Sequence, residues 1–250
     1  MTSVIYSKFL KEFVHVRTKY SLGNSKKVIG DKVISVLGYG PQARGQSLNL
    51  RDNGFNVVLG LRQGDSYEKA LKDGWKTDKN LFSLDEASQK GDIIQYLLSD
   101  AGQIDYWPKL NNFLSPGNTL YFSHGFGIVY NDQTKIVPKD DIDVVMIAPK
   151  GPGKMVRDKF VEDSGINSSV AVYNDHSGKA LDNAIALGFG IGSSSIFKTT
   201  FEKEVHSDLF GERSVLMGLI QSVFKAQYDI LRENGHSKSE AYNETVEEAL

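Results

Sequence analysis

The sequence predicts an α/β protein in which a doubly wound, mostly parallel sheet is followed by the start of an all-helical domain. Three observations carry this. From Lys32 onward, short β-rich runs (33–37, 56–61, 92–98, 118–122, 143–147 and 169–173) alternate with polar or helical stretches, the rhythm of a parallel sheet covered by helices. Several runs, such as Val144-Val145-Met146-Ile147, are apolar at consecutive positions, as expected of strands buried on both faces. After about Thr199 the strand pattern stops, and Val215, Leu216, Leu219, Ile220, Val223 and Phe224 recur at helical spacing until Gly235. The expected domains are therefore 1–199 and 200–250.

Composition narrows the partners. The 250 residues are 40% hydrophobic and 24% charged, with a net charge of -2, so the broad basic surface of a nucleic-acid binder is missing. There is no cysteine, which excludes disulfides and thiolate metal sites and leaves carboxylates and imidazoles as metal ligands. No apolar stretch is long enough to cross a bilayer.

Taken in order, residues 1–30 carry Lys8, Lys11, Arg17, Lys19, Lys26 and Lys27 against one acid, Glu12. This reads as a basic first helix capping the domain, in a cytoplasmic protein; the alternative is a targeting peptide for a mitochondrion or plastid. The first β-rich run then leads directly into Gly38-Tyr39-Gly40-Pro41-Gln42-Ala43 and a helix. Gly38 permits the sharp turn, Gly40 lets the backbone approach a pyrophosphate, and the helix N-terminus stabilises that anion. Pro41 suits a first helical position. Ala43 stands where the usual pattern has its third glycine, making a variant of the Rossmann-like fingerprint. At the tip of the next strand, Arg62 with Ser66 can grip a ribose 2′-phosphate, favouring NADP(H), whereas Asp65 in the same loop keeps NAD open.

Past the carboxyl ends of later strands stand His124, in Ser123-His124-Gly125-Phe126, and Lys150, in Ala148-Pro149-Lys150-Gly151. Sheets of this kind keep their sites there, although each residue also reads as an ordinary loop residue. His15, His176, His206 and His236 read as surface residues. Asp208 and Glu212 are four apart, as are Glu244 and Glu248, so each pair is expected on one helix face. Together the four acids could hold one or two Mg²⁺ ions; singly, each pair reads as a solvated acidic face. Ser237 and Glu240 form a capping box that opens a last helix carrying Ala241, Tyr242, Val246, Ala249 and Leu250. No stop signal follows, and about fifty residues make too small a helical core to stand alone. The segment is therefore expected to be truncated or completed by a partner chain.

Six segments falling in this order carry a resemblance: the glycine turn with Leu48-Asn49-Leu50-Arg51-Asp52, Leu97-Leu98-Ser99-Asp100, Ser123-His124-Gly125-Phe126, Ala148-Pro149-Lys150-Gly151, Asp208-Leu209-Phe210-Gly211-Glu212 and Glu244-Thr245-Val246-Glu247-Glu248. Over roughly residues 33–250 the chain resembles ketol-acid reductoisomerase, in the short form of bacteria and fungi. The resemblance implies a Mg²⁺-dependent alkyl shift in 2-acetolactate or 2-aceto-2-hydroxybutyrate, then NADPH reduction to a 2,3-dihydroxy acid in valine and isoleucine synthesis. It implies cofactor contacts from Gly38, Tyr39, Gly40, Gln42, Arg62, Ser66, Ser99, Asp100, Gln103, His124 and Gly151. Two Mg²⁺ ions would be held by Asp208, Glu212, Glu244 and Glu248, with His124, Lys150, Asp208, Glu212 and Glu248 acting in catalysis. It further implies a homodimer or higher homo-oligomer, and a longer, knotted helical domain without which the 250 residues are expected to turn over weakly or not at all. Pro41, Ala43 and Pro152 depart from the family pattern. Two rivals stay open: an NADP-dependent hydroxy-acid dehydrogenase without isomerase activity, and a non-catalytic dinucleotide-binding module.

Overall fold

A computed structural model describes residues 3–6 and 11–249, with side chains from Val14 onward. The chain divides into two compact units, one ending at Glu204 and the other beginning at Val205. In chain order the first unit contains β1 (Ser3–Tyr6), β2 (Lys11–Val16), α1 (Leu22–Ile29), β3 (Val33–Leu37), α2 (Pro41–Asp52), β4 (Asn56–Gly60), α3 (Asp65–Lys72) and β5 (Leu81–Phe82). There follow α4 (Leu84–Lys90), β6 (Ile93–Tyr96), α5 (Asp100–Phe113), β7 (Thr119–Phe122), the single turns α6 (Phe126–Val129) and α7 (Asn131–Thr134), β8 (Asp143–Pro149), α8 (Gly153–Val161), β9 (Ile166–Asn174), α9 (Ala180–Gly190) and β10 (Ser193–Lys198). Helix α10 (Phe201–Asp208) starts in this unit.

The strands form one sheet in the order β1-β2-β10-β9-β8-β7-β6-β3-β4-β5. From β5 to β8 all pairings are parallel. Successive strands run outward from β3 in opposite directions, so the order reverses between β3 and β6. This is the switch point at which a doubly wound sheet opens a crevice at its carboxyl edge. The apolar runs are explained by two cores: Val145 and Ile147 pack on one face with Ile34, Val36 and α9, while Val144 and Met146 pack on the other with Tyr96, Trp107 and Phe122. Adjacent residues on a strand point to opposite faces, so a strand covered on both sides is apolar throughout.

Three expectations require correction. The described residues of the basic N-terminal segment form strands before any helix: β1 and β2 pair antiparallel, β2 pairs with β10, and α1 starts only at Leu22. Lys8 lies outside the described residues. The β-branched and aromatic content of the Phe13–Val16 stretch suits a strand, and His15 within it is partly buried, with burial lowering its pKa, rather than sitting openly on the surface.

Strand β9 is antiparallel to β8, although it continues the predicted strand series. A parallel return needs a crossover across the sheet, but α8 lies against α2, and the backbone N–H of Lys150 donates to the Asn167 carbonyl at 2.8 Å. The chain therefore re-enters beside the end of β8 and runs back along it.

The third correction concerns the second unit. Helix α10 passes at Asp208 into a π-helical stretch, Leu209–Leu219, followed by α11 (Ile220–Glu233) and α12 (Lys238–Thr245). The Ser237–Glu240 capping box opens α12 as expected, but the helix stops at Thr245 and a 3₁₀ turn, Glu247–Ala249, follows. The Thr245 hydroxyl donates to the Ala241 carbonyl at 2.6 Å, a side-chain bond that competes with the helical ladder. Val246 is thus a cap and Ala249 part of the turn, and Leu250 lies outside the described residues. No residue of the π stretch or α11 is buried.

Helices α2 and α8 pass backbone to backbone. A Cβ on Gly153 would stand 2.2 Å from the Pro41 carbonyl carbon, and one on Gly45 would stand 2.6 Å from the Gly153 oxygen. Both contacts involve backbone that no rotamer change can relieve. Gly153→Ala is expected to cost about 1–3 kcal/mol of unfolding free energy through overpacking, measured by urea denaturation; an unchanged midpoint would contradict the close crossing.

Candidate functional site

The carboxyl edge of the sheet carries two adjoining features. The first is a cleft of about 330 Å³ at the switch point, lined by Gly38, Tyr39, Gly40, Arg62, Asp65, Ser66, Leu98 and Ser99 among others. Its floor is the turn from β3 into α2. Gly38 has φ +103°, and a Cβ there would lie 2.6 Å from the Leu97 carbonyl oxygen, so only glycine is accommodated. Gly40 is exposed, and a Cβ there would meet nothing within 4 Å, only the open cleft. No side chain caps α2, which starts with Pro41 at its first position. Its N-terminal N–H groups and dipole therefore face a cradle suited to an anion.

Helix α3 begins on the far wall with Gly64 as its cap, placing Asp65 and Ser66 in its first turn and Arg62 just before it, all exposed. A second cleft of about 680 Å³ shares Leu61, Arg62, Gln63, Leu84, Leu98 and Gly102 with the first and extends along α4 and α5. On the third wall Ser99 caps α5, its hydroxyl accepting from the Gly102 N–H at 3.2 Å, and Asp100 is the exposed first residue of that helix. Gln103 is buried, and its amide donates to the Tyr96 and Leu98 carbonyls, so this side chain braces the end of β6.

The second feature joins strand ends that lie far apart in sequence. Adjacent strands β7 and β8 end beside one another, bringing His124 and Lys150 to the same edge. Between them stands Glu204, only 3% exposed. Its Oε1 accepts from Lys150 Nζ at 2.9 Å, and its Oε2 lies 3.7 Å from His124 Nδ1. Burial pushes the Glu204 carboxyl up, but the nearby His124 ring and the hydrogen bond from Lys150 outweigh it and hold the group below the usual range. The His124 ring stacks on Phe126, with centroids 6.4 Å apart.

Glu204 owes its place to Phe201, which is buried edge-on against Phe122 and Tyr173 and anchors the start of α10 one turn earlier. Sequence reading missed Glu204. The available signal was its spacing, since Glu204, Asp208 and Glu212 follow one another at intervals of four.

Helix α2 links the two features. Gln42 Nε2 donates to the Gly151 carbonyl at 3.0 Å, beside Lys150. Buried Gln46 donates to Gln42 and to the Ser123 hydroxyl, and accepts from the Tyr121 hydroxyl at 2.7 Å. The dinucleotide turn and the loops carrying His124 and Lys150 are thus held in one hydrogen-bonded frame.

The remaining acids belong to the helical region. Asp208 closes α10, one turn beyond Glu204, and Glu212 lies in the π stretch rather than on a continuous α-helix. Glu244 is in the last turn of α12 and Glu248 in the 3₁₀ turn beyond it, so this pair does not share a helix face as expected. Glu212, Glu244 and Glu248 are exposed.

Because Glu204 has a lowered pKa in the fold, its ionised form stabilises the native state above its unfolded value of about 4.3. That stability is lost as pH falls through the folded value. Glu204→Gln is expected to cost about 1–3 kcal/mol at neutral pH, less than a fully buried pair would lose because solvent reaches Lys150. The difference should shrink as the pH falls below the unfolded value in denaturant titrations; a pH-independent difference would contradict an ionised Glu204.

Comparison with known proteins fits these features. Residues 28–196 match the family model for the acetohydroxy acid isomeroreductase NADPH-binding domain, and residues 201–250 match that for the ketol-acid reductoisomerase C-terminal domain. The chain is 55% identical over 240 residues to the ketol-acid reductoisomerase (NAD(+)) of Desulfosudis oleivorans, covering 96% of this chain and 68% of that protein. It is 52% identical to the mitochondrial ketol-acid reductoisomerase of Neurospora crassa, covering 96% of this chain and 60% of that one. A solved NADH-preferring ketol-acid reductoisomerase from an uncultured archean superposes with a TM-score of 0.85 at 35% identity, over 94% of this chain and 71% of that chain. With both domain models matched in order over nearly all of its length from Val28, the chain belongs to the ketol-acid reductoisomerase family.

Proposed function

We propose that the protein carries out the ketol-acid reductoisomerase reaction: an alkyl shift in 2-acetolactate or 2-aceto-2-hydroxybutyrate followed by reduction to the 2,3-dihydroxy acid. The carrying observation is the buried Glu204 carboxylate, which holds Lys150 and His124 at the sheet edge in the same hydrogen-bonded frame as the dinucleotide turn. A plain hydroxy-acid dehydrogenase or a non-catalytic binding module leaves the helical-domain match and its acids unexplained.

The residues present fit both implied groups. Gly40, which opens into the cleft, and the uncapped α2 N-terminus suit a pyrophosphate, and the adjoining larger cleft has room for the adenosine end. NADPH, when bound, supplies the hydride. Asp208, Glu212, Glu244 and Glu248 offer only hard carboxylate oxygens, the donor type Mg²⁺ prefers. These four would hold two Mg²⁺ ions, which polarise a ketone and stabilise an alkoxide when bound.

The chain's own residues then have distinct tasks. Lys150, 37% exposed and anchored by Glu204, presents its ammonium to a substrate oxygen and can hold or release a proton there. Glu204 fixes the position of that ammonium through the 2.9 Å bond and stands 3.7 Å from Nδ1 of the His124 ring, leaving Nε2 for the substrate side. Arg62 and Ser66 on the cleft wall favour NADP(H). Asp65 in the first turn of α3 supports the second reading, NADH, the cofactor named for two of the similar proteins.

Among the described residues no helix is long and apolar enough to cross a membrane. The exposed Phe210, Leu216, Met217, Leu219 and Val223 support assembly as a homodimer or higher homo-oligomer, since apolar surface of this kind favours burial by a partner. The proposed compartment is the cytoplasm, with the mitochondrion as the alternative carried by the names of the fungal relatives.

In the intact protein, assayed with 2-acetolactate, Mg²⁺ and NADPH, Lys150→Met is expected to lower kcat by about 10²–10⁴-fold, the usual range for a lost proton-transfer group. NADPH affinity should be unchanged. Wild-type protein that reduces no acetohydroxy acid, or a variant with full kcat, would contradict the reading.

A further inference from the structure

A separate polar junction, which shares no residue with the His124, Lys150 and Glu204 cluster, adjoins the dinucleotide turn. Tyr39, between the two glycines, turns its side chain inward and is 4% exposed. Its hydroxyl donates to Asp73 Oδ2 at 2.9 Å and accepts from Trp75 Nε1 at 2.9 Å. Arg44, in the first turns of α2, grips the same carboxylate through two bonds of 2.6 and 2.8 Å. Arg51, from the last turn of α2, donates to the Asp73 carbonyl at 2.9 Å and lies over the Trp75 ring. Asp73 is the C-terminal cap of α3.

Two features of this junction are unnecessary for the helix itself. A carboxylate at a helix C-terminus opposes the macrodipole, so Asp73 works against α3 unless Arg44 compensates. A buried tyrosine hydroxyl is costly unless both donor and acceptor capacities are met, and here Asp73 and Trp75 meet them. The junction therefore binds three parts of the chain together: the turn that cradles a pyrophosphate, the start of α2, and the rear of α3. Helix α3 is only eight residues long, about 12 Å. A rigid element so short transmits the placement of its rear end to its front, where Asp65 and Ser66 line the cleft with Arg62.

We propose that Asp73, with Tyr39 and Trp75, is a positioning group for cofactor selection: it sets the distance between the glycine turn and the front of α3, and so the fit of the ribose 2′ position against Arg62, Asp65 and Ser66. None of the three need touch the distinguishing phosphate. The inference rests on the reading of this cleft as a nicotinamide dinucleotide site.

The test uses the full chain and fluorescence titration with NADPH and NADH separately, for wild type, Asp73→Asn and Trp75→Phe. Trp75→Phe keeps an aromatic ring at the buried position while removing the N–H donor to Tyr39 together with the second ring of the indole, and it serves if Asp73→Asn fails to fold. Thermal unfolding confirms that each titrated variant is folded. The expected result is a change of at least about threefold in the ratio of the two Kd values relative to wild type in a folded variant, a difference well resolved by titration. A purely structural junction would weaken both nucleotides alike, and an unchanged ratio overturns the proposal. Wild-type chain that binds neither nucleotide overturns the dinucleotide reading and this inference together. The wild-type ratio, separately, decides between the NADP and NADH readings.

Discussion

A carboxylate removed from solvent is tolerated only where charged or hydrogen-bonding partners replace the water it loses, and in this chain that constraint falls on Glu204. Its two oxygens face Lys150 and His124, which come from the ends of neighbouring strands β8 and β7. The acid itself returns from beyond β10, four strands across the sheet from β6 and far later in the chain. The site therefore depends on the part of the sheet from β7 to β10 having formed in its observed order. Phe201 anchors the helix that carries Glu204, and the carboxylate in turn fixes the Lys150 ammonium and faces the His124 ring, so packing and electrostatics determine one another here.

Helix α2 performs the complementary task of tying the dinucleotide turn to that cluster. Its inward side is unusually polar: Gln42 reaches Gly151, Gln46 reaches Ser123 and Tyr121, and Asn49 donates to the Val156 and Ile191 carbonyls. These buried amides replace hydrophobic contact with directional bonds, and a fully satisfied polar network specifies geometry more sharply than apolar packing does. The close glycine crossing with α8 brings the network within reach. The dinucleotide turn and the Glu204 cluster thus share one rigid scaffold, and groups held in this way need little reorganisation to be brought into register.

Much of this was legible in the residues. The strands at 33–37, 119–122 and 143–147, the turn at Gly38 and Gly40, the capping box at Ser237 and the strand-end positions of His124 and Lys150 all follow from local pattern, because each depends on neighbours within a few positions. What escaped depends on distant partners. Glu204 sits in an ordinary amphipathic helix, and nothing local reveals that it is buried against residues 54 and 80 positions earlier. The reversed direction of β9 follows from where α8 packs, the pairing of β1 and β2 from the free edge of β10, and the π stretch after Asp208 from hydrogen bonding that no residue type announces.

Glu204 and Lys150 act as a coupled pair that organises this edge of the sheet. A double-mutant cycle of Glu204→Gln and Lys150→Met, measured by urea unfolding at neutral pH, tests it most directly. The coupling energy is expected to be about 1–3 kcal/mol, as for residues sharing one buried network. Additive effects, agreeing within about 0.5 kcal/mol, would contradict the account and reduce the pair to incidental neighbours.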